Sequence, residues 1–460
     1  MTELLFVGGT VLTPDGPRKA DVRVADGVIT SIEEGAAPGR AHVVDAVGRY
    51  VLPGGIDIHV HSRDPGFPEK EDFGSLTAAA AAGGVTTVID MPNTVPAVDS
   101  AGVLESKAAL ARAKARVDFG FWGLIRSTST PEQLSALADS GVIGFKAYLA
   151  YAFSLSHRDI GQSADANNPD LEPPPDYGTL ASLGSVVAEL GLPLAVHAED
   201  AAILHAFKRP YETYADILIA RPPEAEVVAI SAAAAVARQS GFHLHIPHIS
   251  SAPGLEAATE ASRAGASVSI ETCPHYLWVT DADFPRLGTA MKINPPVRTI
   301  SDQGALRDGL KRGQIEIVAS DHAPHSDAEK AMSLDDAPAG SPGVQSLYLS
   351  CLELALQMGD VWMAPRWVSE APARLAGLSE SKGRIAPGYD ADLVVVDPGQ
   401  ATTFSPRAMR SRQHHAALDG LKTSFAINSV YVRGVPVFAD GRLARHAGGR
   451  MVRPTRAPIS

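Results

Sequence analysis

The 460-residue sequence predicts an α/β protein: a (β/α)8 barrel with a small β-sandwich domain formed from both termini. Three observations lead there. Between residues 53 and 383, strand-like and helix-like segments alternate, with eight strand candidates at 55–61, 85–91, 117–124, 142–149, 192–197, 242–249, 267–272 and 315–320. His- and Asp-bearing residues recur where these strands end, the end at which such barrels carry their sites. The two termini are β-rich and too small to make separate cores.

The terminal segments LLFVGGTVL, DVRVADGVITSI and HVVDA alternate apolar and polar residues between Gly and Asp-Gly turns. Their partners are GRIAPGYDADLVVVD (Gly383–Asp397) and SVYVRGVPVFAD (Ser429–Asp440), so 1–52 plus 384–460 is expected to form the sandwich around an inserted barrel at 53–383. In the first barrel strand, Ile56, Ile58 and Val60 alternate with Asp57, His59 and His61. Imidazoles at i and i+2 on a strand point to one side, close enough to share a metal ion. Arg63 falls at the strand's exit, before the turn Asp64-Pro65-Gly66; a surface ion pair with Asp64 or Glu69 is the plain alternative for it. LTAAAAA (76–82) predicts a helix stopped by Gly83-Gly84, and VTTVIDM the next strand. The polar, Pro-rich stretch 161–177 follows the fourth strand and reads either as a lid over the site mouth or as a surface insertion without function.

Composition narrows the class. With a net charge of −12 and no dense Lys/Arg stripe, nucleic acid and anionic membranes are not expected partners. No apolar run reaches the ~18–20 residues of a membrane span, and the N-terminus lacks signal-peptide features. Cys273 and Cys351 alone cannot build a disulfide framework, so a reducing cytoplasm is expected.

The chemistry-bearing residues form a pattern. His59 and His61 end the first strand, His197 ends LPLAVH, His248 ends LHIPHISS, and Asp321 follows IEIVAS. Four imidazoles and a carboxylate make the mixed N/O donor set that zinc-like ions prefer. Lys146 closes the apolar run Val142–Phe145, so it either snorkels outward or enters the interior with a depressed pKa. A neutral amine there can take up CO2 to become a carbamate able to bridge two metals.

The motifs HVHSRDPG, MPNT, GFKAYL, VHAED, HISS, ETCPHY, INPPVR and SDHAPH, in this order, resemble the cyclic-amidohydrolase branch of the amidohydrolase superfamily, which includes dihydroorotases, allantoinases, hydantoinases and dihydropyrimidinases. The resemblance implies a distorted barrel holding two divalent metal ions, with zinc expected. His59 and His61 would hold one ion, completed by Asp321; His197 and His248 would hold the other; carbamylated Lys146 would bridge. Asp321 would be the catalytic proton carrier, taking a proton from attacking water and delivering it to the leaving ring nitrogen. The partner implied is a small-molecule cyclic amide, and a homo-oligomer, dimer or tetramer, is expected. Arg63, Asn93 and His325 match positions where dihydroorotases engage the substrate carboxylate, and Asn294 matches one that engages the ring; an arginine fork suits a carboxylate. The expectation is therefore dihydroorotase, interconverting dihydroorotate and N-carbamoyl-L-aspartate. The alternative is allantoinase or another hydantoinase-like cyclic ureide hydrolase, and a more remote one is a non-catalytic scaffold of the same fold. Three features depart toward the alternative: Lys146 where many bacterial dihydroorotases carry Asp, Gly343-Val344-Gln345 in place of glycine-leucine-glutamate, and an allantoinase-like DFGFWG at 118–123.

Overall fold

The computed structural model describes residues 3–162, 168–445 and 448–455. The chain opens with strands β1 (Glu3–Thr13), β2 (Gly16–Ala25), β3 (Val28–Glu33), β4 (His42–Asp45) and β5 (Tyr50–Pro53). It closes with β17 (Leu393–Asp397), the hairpin β18 (Thr402–Thr403) and β19 (Lys422–Thr423), then β20 (Ala426–Val432), β21 (Val435–Ala439) and β22 (Arg442–Leu443). Apart from β18 and β19, these strands join into one nine-stranded sheet in the order β22-β21-β20-β17-β5-β1-β2-β3, with β4 on β1. Early and late strands meet at β5 and β17, which pair antiparallel. Their alternation lets residues of both chain ends share a core of Leu4, Phe6, Val22, Leu393, Val395 and Tyr431.

Between them lie the eight expected barrel strands: β6 (Gly55–Val60), β7 (Val85–Asp90), β8 (Asp118–Leu124), β9 (Gly144–Tyr148), β13 (Leu194–His197), β14 (Leu244–Ile246), β15 (Val268–Thr272) and β16 (Ile317–Val318). They form a parallel sheet in chain order. The curl is closed by a single parallel bridge from Val60 to His322, reinforced by the His61 N–H donating to the His322 carbonyl at 2.8 Å. Strand β14 is shorter than the predicted 242–249 because Pro247 offers no N–H and His248 turns into a left-handed backbone, φ 43°. The helix expected at 76–82, α1 (Phe73–Ala82), begins three residues earlier: Asp72 caps it, accepting from the Ser75 N–H at 2.9 Å. Its alanines at 78–81 are buried, and their small size lets the helix lie close on the sheet.

An excursion after β9 builds a small sheet from β10 (Ala152–Ser154), β11 (Asp159–Gln162) and β12 (Leu171–Glu172) beside the mouth of the barrel. The expected 161–177 loop lies partly within it; residues 163–167 lie outside the described residues. The barrel and the terminal sheet are locked together by Lys382, whose ammonium sits 2.9, 2.9 and 2.6 Å from Asp118, Asp390 and Asp392, with Arg433 also on Asp118. Those three carboxylates could also be grouped as metal donors, but the lysine already fills their centre. Among the described residues no helix is long and apolar enough to cross a membrane.

Candidate active site

At the C-terminal ends of the strands, a cavity of about 330 Å3 brings together the ten candidate metal and substrate residues of the sequence: His59, His61, Arg63, Asn93, Lys146, His197, His248, Asn294, Asp321 and His325 all line it. A larger cleft of about 740 Å3 lies at the opposite end, between the strand starts and the terminal sheet. Its ionic groups include the exposed pairs Arg374–Glu316 and Arg384–Glu370, and the grouped His and Asp donors lie elsewhere.

His59 and His61 leave β6 on one side, and their Nε2 atoms lie 3.4 and 3.3 Å from Asp321 Oδ1. These three donor atoms lie within 4.8 Å of one another and could hold a metal ion. Across the cavity His197 Nδ1 faces His248 Nε2 at 3.0 Å. The four rings form one cluster, with His59 5.2 Å from His248 between centroids. The donors fit zinc-like ions: two nitrogens held ~2.0–2.1 Å from one ion sit roughly 3.0–3.4 Å apart. Arg63, His248 and Asp321 all adopt left-handed backbones (φ 58°, 43° and 46°), a conformation costly for non-glycine residues that the surrounding hydrogen bonds must hold.

Lys146 settles its two alternatives inward. It is fully buried, and its Nζ has no hydrogen-bond partner among the described residues. Burial pushes its ammonium down to about 8, against the pull of Glu271 and Asp321. Burial alone would raise the Asp321 carboxyl, but His59 and then His61 more than offset it and hold it well below the usual range. Burial likewise lowers His61 to about 4 and His248 well below the ordinary imidazole value, so both rings are neutral and offer lone pairs.

Two of the four imidazoles are steered by a second partner that sequence reasoning missed. His59 Nδ1–H donates to Glu271 at 2.9 Å, and His197 Nε2–H donates to Glu199 at 2.8 Å. Such bonds fix which nitrogen faces the cavity. Glu199 is held by Arg221, whose Nη2 also donates to the Tyr151 hydroxyl at 2.8 Å. Both glutamates were visible in the quoted motifs VHAED and ETCPHY; Glu271 continues the two-residue alternation of Ser267 and Ser269 along β15.

The expected substrate residues divide. Asn93 Oδ1 is occupied, accepting from His61 Nδ1–H at 2.7 Å, so this side chain orients a ring as well as lining the cavity. Arg63 forms neither of the surface pairs open to it. Its Nε donates to the Pro324 carbonyl at 3.2 Å and its Nη2 lies 3.2 Å from His325 Nε2, which also lies 3.0 Å from the Ala339 carbonyl, while Asp64 pairs with Lys114. Asn294 Nδ2 donates to the Tyr151 hydroxyl at 3.2 Å. Gln345 stands apart: it ties the Ala408 carbonyl and the Arg410 N–H, and lines no part of the cavity.

Comparison with known families matches residues 50–437 to the amidohydrolase family. The chain belongs to the amidohydrolase family. This amidohydrolase is 36% identical over 451 residues to an allantoinase of Streptomyces avermitilis, covering 97% of this chain and 98% of that one. Other relatives, 32% to 37% identical over nearly the whole chain, also bear the name allantoinase. It is 37% identical over 414 residues to a dihydroorotase of Halobacterium salinarum, covering 89% and 91%. Among solved structures it is similar to the L-hydantoinase (dihydropyrimidinase) of Arthrobacter aurescens: TM-score 0.90, 27% identity, 98% of this chain and 100% of that one. The cyclic-amidohydrolase resemblance carried by the motifs therefore holds, and the protein is a hydrolase. The choice of dihydroorotase within that branch has less support than the allantoinase alternative.

Proposed function

We propose that this protein opens the ring of a cyclic ureide, with allantoin as the preferred substrate. One observation carries the chemistry: four neutral or carboxylate-paired imidazoles, Asp321 and an unpartnered Lys146 amine converge on one buried cavity. His59, His61 and Asp321 would hold one divalent ion and His197 with His248 a second, and Lys146, as its carbamate, would join them. Bound there, zinc-like ions supply acidified water and a polarised ring carbonyl. A free amine is the nucleophile that adds to CO2, losing a proton as the carbamate forms, and the lowered Lys146 offers a fraction of its amine in that form near neutral pH. Asp321 has Oδ1 toward the two imidazoles, leaving Oδ2 to take the proton of the attacking water and pass it to the ring nitrogen as the amide C–N bond breaks. One water is consumed, and the ring becomes a carboxylate and an open urea.

Allantoin is favoured by the relatives that bear the allantoinase name across almost the full length. A second reading, dihydroorotate, rests on Arg63. Among the described ion pairs none includes this half-buried guanidinium, and its neighbours at the cavity wall are a carbonyl and a neutral histidine. A fork so placed suits a substrate carboxylate, which dihydroorotate has and allantoin lacks. A panel of allantoin, dihydroorotate, N-carbamoylaspartate, hydantoin and dihydrouracil with zinc-loaded protein tests both readings. Allantoin turnover highest is the expected result; dihydroorotate highest selects the second reading, and turnover of none refutes the proposal.

A further inference from the structure

The interior of the barrel is plugged by Ile56, Ile58, Ile89, Trp122, Ile143, Ala195 and Ile317, contributed along six of the eight strand segments. Strands β14 and β15 contribute nothing to that plug. In its place these strands, with the residue just before each, carry a continuous polar file. Ser267 Oγ lies 2.8 Å from His243 Nδ1, His243 Nε2 2.9 Å from Ser269 Oγ, Ser269 Oγ 2.9 Å from His245 Nδ1, and His245 Nε2 3.1 Å from Glu271 Oε2. The other oxygen of Glu271 takes His59 Nδ1–H and the His248 N–H, at 2.9 and 3.1 Å. The file runs from the exposed Ser267 to the fully buried Glu271 beneath the site.

Its polarity follows from which atoms can donate. A carboxylate only accepts, so His245 must present Nε2–H to Glu271, and its Nδ1 is then an acceptor for the Ser269 hydroxyl. With that hydrogen committed, Ser269 Oγ accepts from His243 Nε2–H, and His243 Nδ1 accepts from Ser267. Every hydrogen points toward Glu271. Aligned bonds of this kind polarise one another, and at the end of the file they stabilise the carboxylate. No Lys or Arg is ion-paired with Glu271 among the described residues; its charged-group partners are His59 and His245.

We propose that His245 is a positioning residue, holding the Glu271 carboxylate oriented on His59 and thereby setting the affinity of the metal position His59 shares with His61 and Asp321. This rests on the reading of those three residues as metal-holding. The partner that fixes a ligating histidine controls metal affinity about 10- to 100-fold. His245 acts one bond further out, where no metal can touch it.

The test is zinc titration of the metal-free protein against a chromophoric chelator, with far-ultraviolet circular dichroism as the folding control. The parent is expected to bind two ions; fewer than two would refute the underlying metal reading, independently of His245. His245→Phe keeps a ring beside Trp122 but removes both hydrogen bonds, and should weaken one of the two positions roughly 10- to 100-fold while sparing the other. His245→Gln, with an N–H for Glu271 and an oxygen for Ser269, should restore that position to within about threefold. Unchanged binding in the Phe variant, or a Gln variant as weak as Phe, would overturn the proposal. Should the Phe variant fail to fold, Ser269→Ala, which breaks the file without touching Glu271, should weaken the same position to a lesser degree, and unchanged affinity there would overturn it.

Discussion

Arg63→Met separates the two substrate readings. The guanidinium sits at the cavity wall with Nε on the Pro324 carbonyl and Nη2 on His325, and with no carboxylate among its described ion pairs. A substrate carboxylate would take two charge-assisted bonds from this fork, each about 1.5–3 kcal/mol. Their loss, about 3–6 kcal/mol, corresponds to roughly a 10²- to 10⁴-fold fall in kcat/KM for dihydroorotate. Allantoin carries no carboxylate and stands to lose at most one bond from the guanidinium, about 1.5–3 kcal/mol, or roughly 10- to 150-fold, less than the loss of the two-pronged carboxylate contact. Methionine preserves the apolar stem, and the His61–Asn93 bond and the Asp321 contacts are untouched, so metal content should stay at the parent level. Steady-state kinetics on both substrates, with metal content measured on the same samples, reads the outcome. Equal losses on the two substrates, or metal lost along with activity, would refute the view of Arg63 as a carboxylate fork.

Further expectations follow from other parts of the molecule. Lys146→Ala should abolish turnover and recover part of it with added short carboxylic acids, which can occupy the space of a carbamate; full activity without such additives would exclude a bridging role. Chelation should remove activity and leave circular dichroism unchanged, since the barrel is held by its own core. Lys382→Met would leave Asp118, Asp390 and Asp392 facing one another without their shared cation, at a cost of about 3–5 kcal/mol in stability read by denaturant titration. Glu199 and Glu271 are held at about 2 because His and Arg partners outweigh the effect of burial. Their folded values lie below the unfolded carboxylate value, so their stabilisation is present above about pH 4.5 and is lost as pH falls toward 2. The metal-free protein should therefore unfold within that acid window, and a loss centred near neutral pH would contradict the assignment.

The strands, their order and the end at which the chemistry gathers were legible from alternation and motif spacing, because a buried parallel strand must be apolar wherever its sequence does not carry function. His59, His61, His197, His248 and Asp321 could be found for the same reason: each interrupts an apolar run where a strand ends. The sequence could not say which atoms face which. That Asn93 would be spent partly on His61, that Gln345 would lie outside the cavity, and that Arg63 would pair with no carboxylate among the described residues depend on contacts between segments far apart in the chain. The polar file behind His59 was equally hidden, since His243, His245, Ser267, Ser269 and Glu271 look unremarkable until two neighbouring strands lie in register. Local pattern determines what an element is and which side it buries. Only closure of the barrel decides which buried polar groups meet, and hydrogen-bond partnership, not residue type, then sets each group's charge, tautomer and task.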